Sequence, residues 1–127
     1  MAGAMLGSGL AQSAQAQSAP PPSPIGVWRG TSSCLVRPSA CNDEVVVYRI
    51  IRTNAADSLA VDARKIVSGE EQEMGVLGCR LTAATGQLTC TIPRGTWRLT
   101  VRNDSLTGEL RLPDNTRFRE VRAKRAP

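Results

Sequence analysis

The residues with the richest chemistry in this sequence are four cysteines, Cys34, Cys41, Cys79 and Cys90. No two of them have Cys-x-x-Cys spacing, which argues against a zinc ribbon or a thioredoxin-like redox motif. An even number of cysteines in a small exported domain is typical of structural disulfides. We therefore expect two disulfide bonds and an oxidising location, either periplasmic or secreted.

The alternation of apolar residues favours one of the three pairings. Cys79 and Cys90 each lie between apolar residues two positions away on either side, which places both cysteines on the apolar face of a strand. Residues 82–87 would connect the two strands as a hairpin. With Ala84 and Thr85 as its two-residue turn, Cys79 falls directly opposite Cys90, as a cross-strand disulfide requires. The two remaining cysteines would then close a short loop around Pro38.

Histidine is absent from the chain, and this narrows the chemistry. Without it there are no Ser/His or Cys/His nucleophile pairs, no His-ligated zinc and no His general base. The acidic groups Asp43-Glu44 and Glu70-Glu71-x-Glu73 offer oxygen ligands for calcium, but their spacing matches no known calcium loop, so we interpret them as exposed acidic turns. We expect no catalytic residue, no metal and no cofactor, and hence a protein that is not an enzyme.

The formal net charge of +5 favours anionic surfaces in general. A nucleic-acid reader normally combines basic residues with exposed aromatics or a recognition helix, and this chain has four aromatic residues in all, so we expect no specific nucleic-acid partner. Six arginines come from adjacent C-terminal strands, and several of them occupy the alternating positions that face outward. They are interpreted either as a basic face for an anionic partner or, preferably, as a solvated exterior: Arg94, Arg98, Arg102, Arg111, Arg117 and Arg119.

The N-terminal residues 1–16 resemble the back half of a secretory signal, with small residues at the cleavage site Ala14-Gln15-Ala16. Because a charged first region is missing, we expect the true start codon to lie further upstream; a low-complexity tail is the alternative. Gln17–Pro24 reads as a stiff Pro-rich linker. Residues 25–127 form one domain. No apolar stretch approaches the roughly 20 residues that span a bilayer.

A period-two alternation dominates after Ile25 and predicts an all-β fold. Its clearest part is a C-terminal meander with turns at Asn103-Asp104 and Pro113–Asn115, and a bulge is expected near Arg119-Glu120. The eight expected strands span residues 26–32, 44–53, 59–67, 73–81, 87–92, 97–102, 105–112 and 116–124. Eight short strands in sequence order predict an antiparallel up-and-down barrel, with a two-sheet β-sandwich as the alternative.

Gly26-Val27-Trp28 on the first strand resembles the Gly-x-Trp pattern of lipocalins and related calycin barrels. The resemblance implies that Trp28 closes one barrel end beneath a basic residue of the last strand, for which Arg119, Arg122 and Lys124 are candidates and Arg122 is selected. Trp97 is expected to point inward. Aliphatic residues at nearly every inward position favour a filled interior over a ligand cavity, and both alternatives stay open.

These observations favour an exported, lipocalin-like binding or scaffold module whose partner is a small apolar ligand. The alternative is a protein-interaction module, such as an inhibitor of an extracytoplasmic hydrolase or peptidase. In that case the Pro-rich arm Gln17–Pro24 would block the enzyme's cleft.

Overall fold

The computed structural model describes residues 23–127, so the predicted signal remnant and most of the predicted linker lie outside the described residues. The described chain forms eight strands and no helix. Among residues 23–127, therefore, no helix has the length and apolarity needed to cross a membrane. The strands are β1 Gly26–Cys34, β2 Glu44–Arg52, β3 Ser58–Val67, β4 Glu70–Thr82, β5 Gln87–Ile92, β6 Gly95–Arg102, β7 Ser105–Arg111 and β8 Arg117–Arg125.

The strands form a closed barrel in which each pairs antiparallel with the next and β8 pairs with β1. The predicted up-and-down barrel is confirmed, and the two-sheet sandwich is wrong. Alternation explains this architecture, because every second residue of a strand faces the same side and an apolar face must be covered. The innermost side chains include Trp28, Ile50, Leu88 and Leu106, all less than 2% exposed.

Closure of the barrel brings β1 against β8 at Gly30, which lies opposite Ala123. A side chain at this position would overlap the carbonyl oxygen of Arg122 and come within 2.5 Å of the Ala123 Cα. The absence of a Cβ at Gly30 therefore allows the first and last strands to approach each other closely enough to close the barrel.

Replacing Gly30 by alanine is expected to lower the free energy of unfolding by about 1–3 kcal/mol, because the added methyl group must push β1 and β8 apart. Gly78→Ala is the matched control, since nothing lies within 4 Å of the position its Cβ would occupy. Urea unfolding of both variants checks this. Equal stability of the two would mean that the β1–β8 approach does not limit closure.

The ladder between β4 and β5 is the shortest in the barrel. It contains three residue pairs, Arg80↔Thr89, Leu81↔Leu88 and Thr82↔Gln87, whereas β3 and β4 are paired over ten. The next pair in this register is Cys79 and Cys90, which are joined by a disulfide with a Cα–Cα distance of 4.3 Å. The bridge therefore holds the two strands together where their backbone pairing stops. We call this line of contact the β4–β5 seam.

Both predicted disulfides are confirmed, and the second one joins Cys34 to Cys41 in the loop between β1 and β2. The predicted register of the β4–β5 hairpin is also right, but its connection has four residues rather than two. Gly86 ends this turn with a positive φ of 73°, and its amide donates to the Thr82 carbonyl at 2.9 Å. The longer connection keeps the same register because its centre is still between Ala84 and Thr85.

Removing Cys79 and Cys90 together as alanines is expected to cost about 2–4 kcal/mol of unfolding free energy. We expect this loss to exceed that of the Cys34→Ala/Cys41→Ala control, because Cys79 and Cys90 are buried and pairing at the seam is short. Denaturant unfolding without reductant measures both. A larger loss in the control would show that the β4–β5 seam does not depend on its bridge.

The predicted bulge lies one residue earlier than expected. Leu110 pairs with Arg119 and Arg111 pairs with Arg117, so Phe118 is the extra residue on β8 and has no partner on β7. The alternation of apolar residues indicates only that the bulge lies between Phe118 and Val121, and the pairing with β7 assigns it to Phe118. The position matters because it sets which β8 side chains face the interior.

Candidate ligand cavity

One end of the barrel is sealed around Trp28, which is fully buried. Its indole Nε1 donates to the Pro24 carbonyl at 2.9 Å. The Arg125 guanidinium carbon lies 4.3 Å from the centroid of the ring, in cation–π geometry. Arg125 also donates to the carbonyls of Ile25 and Ser23, each at 2.9 Å. We call this the closed end.

Arg125 rather than Arg122 is therefore the basic residue over Trp28, and the selection of Arg122 was wrong. Inward positions on β8 have odd numbers, as the buried Val121 and Ala123 show. Arg122 has the opposite parity, its side chain is 74% exposed, and it pairs with Glu120 on the outer surface. The strand and the type of residue were predicted correctly, but β8 continues to Arg125, one residue beyond the predicted end of the strand.

Arg125→Gln is expected to destabilise the barrel by about 1–2 kcal/mol, because the cation–π contact and the hydrogen bonds to Ile25 and Ser23 are lost. Arg122→Gln, the matched control, is expected to stay within about 0.5 kcal/mol of the parent because that side chain is exposed. Thermal unfolding followed by tryptophan fluorescence measures both. A reversed order would restore Arg122 as the packing partner.

The opposite end of the barrel contains a cavity of about 710 Å³. It lies beneath the β1–β2 loop and the turn between β5 and β6, and we call this the open end. Its volume falls within the roughly 300–1,000 Å³ usual for small-molecule sites. The apolar part of the wall includes Val61, Leu77, Ile92, Trp97, Leu99 and Leu110. The polar part includes Ser32, Asn42, Glu44, Tyr48, Arg94 and Arg119.

A filled interior is thus the right prediction for the closed half of the barrel and the wrong one for the open half. Inward positions near the open end carry small side chains, such as Ser32, Ala63 and Gly75, which leave space unfilled. They also carry Glu44 and Arg119, whose charges are not suited to a dry aliphatic core. The alternation showed which residues face inward but not how their sizes and charges sort along the barrel axis.

Trp97 faces inward as predicted, half-buried in the cavity wall. It pairs with Cys90 on β5 and with Leu110 on β7. Trp28 and Trp97 therefore lie in different parts of the barrel. The first is sealed in the closed end, and the second lines the cavity. The cavity also reaches the β4–β5 seam, since Leu77 and Ile92 line it from the two sides.

Arg119 is the most enclosed charge in the cavity wall, with a side chain only 14% exposed. Its Nη1 donates to the carbonyl and hydroxyl oxygens of Ser32 at 3.3 and 3.0 Å, and its Nη2 donates to the Asn42 carbonyl at 2.9 Å. A Glu44 oxygen lies 3.7 Å from Nη1. Arg119 therefore ties β8 to the end of β1 and to the loop that borders the cavity.

Tyr48 lies beside this cluster and is only 5% exposed. Burial raises the pKa of its hydroxyl far above the ordinary value, because the ionised form would lose its hydration. The negative charge of Glu44 acts in the same direction. The hydroxyl therefore stays protonated at any physiological pH, and Tyr48 presents a neutral phenol to the cavity.

The β1–β2 loop borders the cavity and is held in two ways. The Cys34–Cys41 disulfide closes the loop, and the Asp43 carboxylate accepts a 2.8 Å hydrogen bond from the Cys34 amide and a 2.6 Å one from Arg37. The amide of Cys34, followed by the charge and hydrogen bond of Arg37, lowers the pKa of Asp43. Asp43 acts here as a structural acceptor of the loop. Cys41 and Asn42 are thereby fixed at the cavity border.

The six C-terminal arginines do not form one basic face. Arg98 and Arg102 are exposed on the outside of β6. Arg111 and Arg117 both bond to Glu109, and the hydrogen bond from Arg111, ahead of that from Arg117, lowers the pKa of Glu109. The other two members, Arg94 and Arg119, line the cavity. The β8 bulge and the turn after β5 separate residues that the sequence pattern had grouped.

The acidic groups also have structural partners. Glu71 accepts two hydrogen bonds from Arg49, at 2.6 and 3.0 Å, and the charged pair lowers the pKa of Glu71. The turn before β4 consists of Ser68-Gly69, so Glu70 and Glu71 belong to the strand rather than to the turn. Within residues 23–127, no three acidic or cysteine side chains come together as a metal site.

Family models, curated proteins and solved structures provide no match to this chain. The closed barrel is compatible with a lipocalin-like fold. The two disulfides are consistent with an oxidising location outside the cytoplasm. Of the proposed inhibitory arm, only Ser23 and Pro24 are described. Arg125 and Trp28 bind them at the closed end, away from the cavity.

Proposed function

We propose that this protein is an exported, lipocalin-like binding module that holds a small, mainly apolar ligand in the open end of its barrel, without catalytic activity. The observation that supports the proposal most directly is the cavity of about 710 Å³. Its walls combine apolar side chains with polar and charged groups, a combination that is usual for a small-molecule site.

The rest of the structure supports the same function. The closed end is packed around Trp28, so a ligand would enter from the open end. Two disulfides hold the borders of the cavity: one closes the β1–β2 loop and the other joins the seam. A cavity held in this way needs little ordering when a ligand binds, and less binding free energy is therefore spent on conformational entropy.

Tryptophan fluorescence tests the proposal with 1-dodecanol, a neutral apolar probe. We expect a saturable change in emission, because Trp97 lies in the wall and loses contact with water when the cavity fills. Trp97→Phe should abolish the optical change while calorimetric binding remains. No saturable binding by either method, for this probe or for its charged analogues below, would contradict the proposal.

A pair of substitutions on β3 locates the binding. Ala63→Phe adds an aromatic ring to the cavity wall and is expected to reduce dodecanol affinity by about tenfold or more, because it occupies ligand space. Ala60→Phe makes the same change three residues earlier, on the opposite parity that faces outward, and should bind as the parent does. Equal affinities in the two variants would place the ligand outside the barrel.

A further inference from the structure

The charges in the cavity wall are not balanced. Glu44 is the only carboxylate that lines the cavity in the described part of the chain, whereas two arginines line it. Glu44 is also shared, since its two oxygens lie 3.7 Å from the Arg119 guanidinium and 3.7 Å from the Lys65 ammonium. One negative charge therefore faces two neighbouring cations, and the cluster keeps a net positive charge.

Arg119 retains hydrogen-bonding capacity in this cluster. A guanidinium has five N–H donors, and the described residues accept three hydrogen bonds from it, at Ser32 and Asn42. Its nearest carboxylate oxygen, at 3.7 Å, is beyond hydrogen-bond distance. A cation with a side chain only 14% exposed is stabilised strongly by an oxyanion that bonds to its remaining donors.

Arg94 adds a second cation at the cavity border, in the turn between β5 and β6. It takes part in none of the ion pairs formed among residues 23–127. Arg111 and Arg117 instead pair with Glu109 and do not line the cavity. Arg94 and Arg119 are thus the two cationic residues that line the cavity in the described part of the chain.

We infer that the ligand is an amphipathic organic anion, with an apolar body against Trp97, Leu99 and Val61 and a carboxylate-type head that bonds to Arg119 and is attracted by the charge of Arg94. This rests on the proposed function and names its ligand class. A planar carboxylate matches the paired donors of a guanidinium, and its charge neutralises the surplus of the cluster. The neutral phenol of Tyr48 adds no repulsion to an anionic head.

Three probes with the same twelve-carbon chain test the inference by calorimetry below their aggregation concentrations: dodecanoate, 1-dodecanol and dodecylammonium. We expect dodecanoate to bind about tenfold or more tightly than dodecanol, and dodecylammonium to bind most weakly. Raising the salt concentration should reduce the preference for dodecanoate, because salt screens the attraction that the solvent-accessible Arg94 exerts on an anionic head.

Charge variants assign the preference to residues. Arg94→Gln is expected to reduce the dodecanoate-to-dodecanol affinity ratio by about threefold to tenfold, while Arg102→Gln, exposed on the outside of β6, should leave the ratio unchanged. Glu44→Gln should increase the ratio, since it removes the one carboxylate that lines the cavity among residues 23–127. Arg119→Gln loses the bonds to Ser32 and Asn42 and can fail to fold. The expected increase of the affinity ratio in Glu44→Gln tests the same head-group site without that loss.

The outcomes separate this inference from the proposed function. Equal binding of dodecanoate and dodecanol, or tighter binding of dodecylammonium, would overturn the anionic head and leave the apolar cavity as the site. Failure of all three probes would overturn both. A dodecanoate preference that persists unchanged in both Arg94→Gln and Glu44→Gln would also overturn the inference, because the head would then lie elsewhere on this basic protein.

Discussion

Closure of the barrel between β1 and β8 is the constraint on which the other features depend. These strands are separated by almost the whole domain in sequence, and they meet where Gly30 allows the backbones to approach. The same pairing places Arg125 beside Trp28 at one end and Arg119 beside Ser32 at the other. Both ends of the barrel are therefore organised by basic residues of the last strand acting on the first.

The two ends use this arrangement for opposite purposes. At the closed end, Arg125 donates hydrogen bonds to backbone carbonyls and packs over an aromatic ring, so its charge is stabilised by contacts within the protein. At the open end, Arg119 shares Glu44 with Lys65 and lies beside unfilled space. This positive charge beside unfilled space is the basis of the proposed ligand site.

Much of the fold was predictable because alternation is a local property. The eight strands, their order and the opposition of Cys79 and Cys90 follow from parity within short runs of sequence. The site was less predictable. The selection of Arg122 failed although its parity was readable, and the position of the β8 bulge required the pairing of Leu110 and Arg111 across a neighbouring strand. Arg94 and Arg119 line one cavity, and no local pattern in the sequence indicates that they do.

By itself, the sequence determined that this is a disulfide-bonded, all-β domain without histidine chemistry, because residue types and period-two patterns are independent of how the strands are arranged in space. Only the tertiary structure decided that the interior is filled at one end and hollow at the other. That difference depends on which inward residues of eight strands fall at the same height along the barrel. At the open end, the small side chains of Ser32, Ala63 and Gly75 meet the charges of Glu44 and Arg119, and a cavity remains.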